Sequence, residues 1–227
     1  MTLSFDEFVL AASTADLAEE PAARPHADAV EFRMDLAASP AEALAAYEGE
    51  LPLLVTNRVA WEGGEAPDAP ERIERLRSAV EHPAVEAVDV ELDAIDECQP
   101  VVEHARENGV AVVVSTHDFE GTPSRERIDE LLEHACDRGD VGKLAVTANA
   151  RGDVLDVLAA THERTAADDT VATMAMGEAG RHSRAVAPLY GSRIGYAPVA
   201  PENATAPGQY PLGELRSLVD SLAGSGT

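Results

Sequence analysis

The sequence predicts an α/β fold in which eight parallel strands, each followed by a helix, close into a single-domain (β/α)8 TIM barrel over residues 1–227. Short apolar runs alternate with acid-rich amphipathic segments along the whole chain. The runs are almost continuously apolar, as expected for the strands of a parallel sheet that helices cover. A count of eight such units favours a closed barrel over an open sheet. At 227 residues the chain is shorter than the typical ~250 of that fold, so its connections must be short.

Strands are predicted where apolar and β-branched residues cluster. The predicted strands are Phe8–Ala12, Ala29–Met34, Leu51–Thr56, Val85–Val90, Val110–Ser115, Gly142–Thr147, Thr170–Met176 and Ser192–Tyr196.

Helices are predicted between these strands, near 15–22, 40–48, 69–81, 95–108, 124–138, 150–165, 179–188 and 211–222. Pro40 and Ser124 are typical of helix starts, and Gly109 and Gly139 of helix ends. The loop 197–209 is the longest stretch without periodicity and follows the last strand. We expect it to be an active-site lid, with a plain surface loop as the alternative.

The composition limits the environment and the partners of the chain. With 17 basic and 42 acidic residues, its net charge of −25 would repel nucleic acid and anionic membranes. Strong salt screens such repulsion, so a salt-rich cytoplasm is expected. The two cysteines, Cys98 and Cys136, form no CxxC motif and fit a reduced compartment. No signal peptide and no run of transmembrane length is recognised, so the predicted protein is soluble and cytoplasmic.

Lys143 is the only lysine among the 17 basic residues, and it lies inside an apolar run that reads as a strand. Charged side chains are rarely placed there. Unlike arginine, a buried lysine can lose its proton and become a nucleophile. The alternative is a side chain whose stem packs under a helix while its amine reaches water.

Polar residues accumulate at the predicted carboxyl ends of the strands, where TIM barrels carry their functional groups. Alternation places Glu31, Arg33 and Asp35 on one face of the second strand. Similarly, Asp89, Glu91 and Asp93 share a face of the fourth. We expect Asp35, Asp89 and Asp93 to form structural salt bridges. The other strand-end residues include Arg58, His117, Lys143, Met174, Met176, Arg184 and Tyr196.

A buried amine, an imidazole on the adjacent strand and several arginines thus converge on one mouth of the barrel. This combination suits imine chemistry on an anionic, hydroxylated ketone. The histidines have no metal-ligand spacing, so no metal and no cofactor are expected.

The motifs at these positions resemble those of the type I 3-dehydroquinate dehydratases, over nearly the whole chain. They are EFRMD at 31–35, TNRVAWEGGE at 56–65, DVEL at 89–92, VVVSTHDFEGTP at 112–123, KLAV at 143–146, MAMGEAGRHSR at 174–184, YGS at 190–192 and APGQ at 206–209.

The resemblance implies a Schiff-base enzyme of the shikimate pathway that converts 3-dehydroquinate to 3-dehydroshikimate by syn loss of water. Lys143 would form the imine and His117 would move the proton, while Glu62 would orient His117 and favour its charged form. Arg184 would bind the substrate carboxylate. The remaining substrate-binding residues would be Glu31, Arg33, Arg58, Thr205, Gln209, Met174, Met176, Tyr196 and Ser13.

The resemblance also implies a homodimer. Two alternatives stay open from the residues alone. One is a class I Schiff-base aldolase acting on a sugar phosphate, for which the acid-containing loop Gly177–Gly180 is a weak phosphate site. The other is a non-catalytic barrel that binds a shikimate-like acid.

Overall fold

The computed structural model describes residues 3–200, 203 and 206–224, and its eight strands form one parallel sheet in the order β7-β6-β5-β4-β3-β2-β1-β8. Strand β1 pairs with β8, and the backbone nitrogen of Arg193 donates to the carbonyl oxygen of Val171 (2.7 Å) where β7 meets β8. The predicted (β/α)8 TIM barrel is therefore confirmed, with a seam between its seventh and eighth strands. The strands are β1 (Val9–Thr14), β2 (Ala29–Arg33), β3 (Leu53–Thr56), β4 (Val85–Glu91), β5 (Ala111–Asp118), β6 (Val141–Thr147), β7 (Val171–Met176) and β8 (Ile194–Pro198).

Each strand is followed by helical segments on the outside of the barrel. They are α1 (Glu20–Ala23), α2 (Pro40–Ala45), α3 (Pro70–Val80), α4 (Gln99–Glu107), α5 (Arg125–Cys136), α6 (Arg151–Ala166), α7 (Gly177–Gly180), α8 (Ser183–Val186) and α9 (Leu212–Ala223). Ser124 caps α5 by accepting from the backbone nitrogen of Arg127 (3.3 Å).

Several predicted helices are shorter than expected or divided. The segment predicted near 15–22 is a 3-10 helix, Leu17–Glu19, followed by α1, and α2 ends at Ala45. The segment predicted near 95–108 follows a 3-10 helix, Leu92–Ala94, and becomes α-helical only at Gln99. The segment predicted near 179–188 is split into α7, α8 and a 3-10 helix, Ala187–Tyr190. Ser183 explains part of this split, because its hydroxyl bonds the backbone nitrogen and oxygen of Ala175 (2.9 and 3.2 Å) and ties the turn to β7.

Side-chain alternation divides each strand between the barrel interior and the helix layer. On β2 and its end, Phe32 and Met34 pack outward in the cluster beneath the helices, whereas Glu31 and Arg33 face inward. Apolar residues such as Leu54, Val113 and Ile194 fill the rest of the interior. The functional groups therefore lie on a packed apolar base, at the carboxyl ends of the strands.

Candidate active site

A small cavity opens at the carboxyl ends of the strands. Its lining includes most residues singled out in the sequence: Glu31, Arg33, Arg58, Glu62, His117, Lys143, Met174, Met176, Arg184, Tyr196 and Gln209. Gly63, Phe119, Ala145 and Ala206 also line it and were not predicted. Ser13 lies behind this lining, where its hydroxyl donates to Glu31 (2.5 Å). Thr205 lies outside the described residues.

Lys143 is buried in the cavity wall, with only 4 % of its surface exposed. Strand β6 holds it between Ser115 of β5 and Ala172 of β7. Its Nζ atom donates to Oδ2 of Asp89 (2.9 Å) and lies 4.2 Å from the ring centre of Tyr196. The amine is therefore fixed in position by a carboxylate below it and an aromatic face beside it.

Asp89 forms the expected salt bridges, but it forms them inside the site. Arg58 donates to its Oδ1 atom (2.6 Å), and Lys143 donates to its Oδ2 atom. Ser115 also donates to Oδ1 (2.6 Å). Burial alone would raise the pKa of this carboxyl, yet Arg58 and Lys143 outweigh burial and hold the pKa well below its usual range. Asp89 is thus a fixed negative charge in contact with the lysine amine.

His117 and Glu62 form a partly buried pair, in which Nδ1 of the imidazole lies 2.9 Å from Oε2 of the carboxyl group. Phe119 stacks on the imidazole with ring centres 6.2 Å apart. Burial, aided by the positive charges of Arg58 and Lys143, lowers the pKa of His117 well below its ordinary value. A neutral imidazole results, which differs from the expectation that Glu62 favours the charged form.

Glu62 is itself perturbed. Burial raises the pKa of its carboxyl to about 8, with Glu91 and Asp89 adding to the rise and Arg58 opposing it. The carboxyl group therefore keeps its proton near neutral pH, beside the imidazole of His117.

Among the basic residues that line the cavity, Arg184 lacks a carboxylate partner. The residue is 4 % exposed, and within the described part of the chain no carboxylate pairs with its guanidinium. Its contacts are Sδ of Met174 (3.8 Å) and the carbonyl oxygen of Pro207 (3.2 Å), and its Nε atom has no partner there. Burial lowers its pKa to about 10. A buried cation of this kind is a binding point for an anion.

The hydroxyl of Tyr196 is a second buried group without a hydrogen-bond partner among the described residues. Burial, followed by the charges of Glu31 and Asp89, raises its pKa well above the ordinary value, so it remains a neutral donor.

Arg33, by contrast, pairs with Asp35, to which it donates two hydrogen bonds (2.9 and 2.7 Å). The salt bridge expected of Asp35 is therefore present.

The described part of the predicted lid segment covers one side of the cavity. The carbonyl oxygen of Pro207 accepts from Arg184 and from the backbone nitrogen of Gly177 (3.3 Å). Gly208 has φ +76°, and a Cβ there would lie 2.6 Å from the carbonyl oxygen of Gly177. Only glycine suits this close approach. The amide of Gln209 accepts from the backbone nitrogen of Ala206 (3.2 Å), which folds the segment back toward the site.

Sequence reasoning missed part of the site and misplaced one residue. Asp93 was expected on the inner face with Asp89, but β4 ends at Glu91 and Asp93 is exposed on the following 3-10 helix, so alternation no longer applies. Glu91, which alternation placed on the same face as Asp89, joins the buried polar cluster, and so does Ser115, which was not singled out although alternation along β5 could have identified it. Arg72, which reaches this cluster from α3, was also missed, although it precedes Leu76 and Val80 by four and eight residues and so shares their buried helix face.

In the described ranges, no group of three or more His, Cys, Asp and Glu side chains is placed to hold a metal ion. Likewise, none of the helices described is long and apolar enough to cross a membrane.

Comparison with known proteins gives a consistent result. The family described as "Type I 3-dehydroquinase" matches residues 9–225. The 3-dehydroquinate dehydratase of Haloarcula marismortui is 57 % identical over 225 residues, covering 97 % of this chain and 98 % of that protein. That of Halobacterium salinarum is 54 % identical, covering 97 % and 100 %.

Solved structures show the same relationship. The crystal structure of 3-dehydroquinate dehydratase from Geobacillus kaustophilus has a TM-score of 0.85 at 30 % identity, covering 96 % of this chain and 92 % of the other. The type I enzyme from Clostridium difficile, solved with covalently modified comenic acid, has a TM-score of 0.84 at 28 % identity, covering 95 % and 92 %.

Proposed function

The chain belongs to the type I 3-dehydroquinase family, and on that premise we propose that its activity, the loss of water from 3-dehydroquinate in the shikimate pathway, proceeds through an imine on Lys143. The observation that carries this proposal is a juxtaposition. The buried amine of Lys143 shares one cavity with an imidazole, His117, and with a cation that lacks an anion, Arg184.

Lys143 is proposed to attack the ketone carbon of the substrate, and water leaves as the imine forms. The protonated imine withdraws electrons and acidifies the adjacent C–H bond. His117 takes that proton through Nε2, the ring nitrogen that Glu62 does not occupy. The same imidazole then returns a proton to the departing hydroxyl, and hydrolysis of the product imine frees Lys143.

Arg184 is proposed to bind the substrate carboxylate. A planar guanidinium matches a planar anion in two parallel hydrogen bonds. Moreover, the bound anion would remove the cost of leaving a cation buried without a partner. The contact of Arg184 with Pro207 would link carboxylate binding to closure of the lid.

The other substrate-binding residues are assigned by where they lie. Glu31, Arg33 and Arg58 are proposed to bind the ring hydroxyls, and the unpartnered hydroxyl of Tyr196 adds a donor. Met174 and Met176 would wall the ring. Gln209, and Thr205 beyond the described residues, would approach from the lid. Ser13 is proposed to act through Glu31.

The test exploits the solitary lysine. Wild-type protein is incubated with 3-dehydroquinate in strong salt, reduced with borohydride and mapped by mass spectrometry. We expect one adduct, on Lys143. The variant K143M retains no lysine and should show neither an ε-amine adduct nor dehydration. An unmodified wild type, or an active K143M, refutes the imine.

The same experiment decides between the alternatives left by the sequence. An adduct with a sugar phosphate, and none with 3-dehydroquinate, would favour the aldolase. Binding of a shikimate-like acid without any adduct would favour the non-catalytic barrel. The family assignment favours the dehydratase over both.

A homodimer and a cytoplasmic location complete the proposal. The first rests on the family resemblance and is tested by light scattering in strong salt, where a monomer would contradict it. The second is supported by two free thiols, Cys98 and Cys136, which suit a reducing compartment. Fractionation of the source cells tests it.

A further inference from the structure

Helix α3 places an arginine in the wall of the barrel, although most of that helix faces solvent. Arg72 is 2 % exposed, and its NH1 group donates to Oε2 of Glu91 (2.7 Å). The same group lies 3.4 Å from the carbonyl oxygen of Asn57, and NH2 lies 3.9 Å from Sγ of Cys98. Arg72 does not line the active-site cavity.

Glu91 connects this arginine to the site. Its Oε1 atom accepts from the backbone nitrogen of Val59 (3.1 Å) and lies 3.2 Å from NH1 of Arg58. Arg58 in turn bonds Asp89, which holds Lys143. The result is a buried line of alternating charges, with its positive members at Arg72, Arg58 and Lys143 and its negative members at Glu91 and Asp89.

We propose that Arg72 is a positioning residue for the dehydration. Arg72 neutralises the charge of Glu91. Arg58 can then keep its salt bridge with Asp89, which contacts the lysine amine, and its contact with Glu62 of the His117–Glu62 pair. The inference rests on the proposed function, since it assigns Arg72 to the imine chemistry of Lys143.

The number of carboxyl groups around Arg58 explains why loss of Arg72 would disturb the site. Its guanidinium lies against three carboxyl groups, those of Glu62 (3.3 Å), Asp89 (2.6 Å) and Glu91 (3.2 Å). Without Arg72, Glu91 would be a buried carboxylate with Arg58 as its remaining cationic partner. A buried carboxylate attracts such a cation strongly. Movement of Arg58 toward Glu91 would loosen Asp89 and displace the amine that Asp89 holds.

A second consequence concerns protonation. The charged and titratable groups facing Glu62 are Arg58, Asp89, Glu91 and the imidazole of His117. Loss of the Arg72 charge makes the electrostatic potential at Glu62 more negative. The carboxyl group would then hold its proton to higher pH.

The experiment compares R72M with R77M, which removes a solvent-exposed arginine of the same helix. In R72M we expect kcat to fall roughly 10- to 100-fold, since displacing catalytic groups by about 1 Å can cost that much. KM should change less, and the pH at which kcat/KM rises should move upward. R77M should match the wild type. R72M that keeps the wild-type kcat and pH profile overturns the proposal, as does a loss confined to KM.

Two more variants separate positioning from folding. R72K keeps the charge and should restore part of kcat and the wild-type pH profile; equal behaviour of R72K and R72M contradicts an electrostatic role. Should R72M fail to fold, R72Q keeps a donor toward Glu91 without the charge, and the same outcomes apply to it. Wild-type adduct formation, measured in parallel, isolates failure of the proposed function itself: a wild type without adduct refutes the imine, whatever Arg72 does.

Discussion

Nδ1 of His117 and Oε2 of Glu62 lie 2.9 Å apart in a buried site, so the proton between them decides which ring nitrogen can act as a base. With Glu62 protonated, its carboxyl donates to Nδ1, and the proton of the neutral imidazole lies on Nε2. Once Glu62 is ionised, Nδ1–H donates to the carboxylate and Nε2 is free to accept a proton.

We therefore predict that kcat/KM rises with pH through about 8, the raised pKa of Glu62, because loss of that proton frees Nε2 of His117. The measurement is the pH dependence of kcat/KM for dehydration between roughly pH 6 and 9.5, a range that spans this pKa, in constant strong salt. In E62Q the titrating carboxyl is absent, so this rise should disappear. A wild-type profile that is flat through this range would contradict the assignment.

The charge state of His117 gives a second prediction. Since burial, Arg58 and Lys143 lower its pKa, its imidazolium should appear only below the ordinary value of 6.5. An NMR titration of labelled histidines, with H117Q to assign the signal, measures this directly. Removing one of the repelling cations in K143M should raise the pKa. An unchanged midpoint in K143M would show that the amine and the imidazole do not interact.

The sequence predicted the fold well because the apolar runs and the alternation that indicate strands involve residues close together in the chain. Alternation correctly oriented Glu31 and Arg33, and the buried run around Lys143 became β6. The limits of the prediction are also physical. Asp93 lies away from the inner face because it follows the end of β4, on a 3-10 helix where strand alternation no longer applies. Helical spacing places Arg72 on the buried face with Leu76 and Val80, but its partner Glu91 belongs to another element and cannot be read from that spacing.

The active-site groups were predicted as individuals, whereas their electrostatics depend on distances between strands. Asp89 was expected to form a structural salt bridge, and it does so with the lysine itself. The neutral state of His117 arises from burial and from the charges of Arg58, just beyond β3, and of Lys143 on β6. Such through-space effects cannot be read from spacing along the chain.

Arg184 offers a separable test of binding and stability. In R184M we expect KM to rise about 100-fold, within the 2–5 kcal/mol typical of a lost partner in a buried charge pair. We also expect the ligand-free fold to gain about 1–2 kcal/mol, because a buried cation without a carboxylate is replaced by an apolar side chain. Steady-state kinetics and chemical unfolding measure the two effects. The control R127M alters an exposed arginine of α5 and should change neither. An R184M protein with normal KM would remove Arg184 from the carboxylate site.

The net charge of −25 leads to a prediction about salt. An anionic substrate is repelled by the whole surface over a Debye length of about 30 Å at 0.01 M salt, but over only about 3 Å at 1 M. The attraction of Arg184 acts at contact inside the cavity and is screened much less. We therefore expect affinity for 3-dehydroquinate to weaken as salt is withdrawn, wherever circular dichroism shows the fold intact. An uncharged amide of the same substrate should show little of this dependence. Affinity for the acid that increases steadily toward low salt would mean that the local cations, rather than the surface charge, dominate the approach of the substrate.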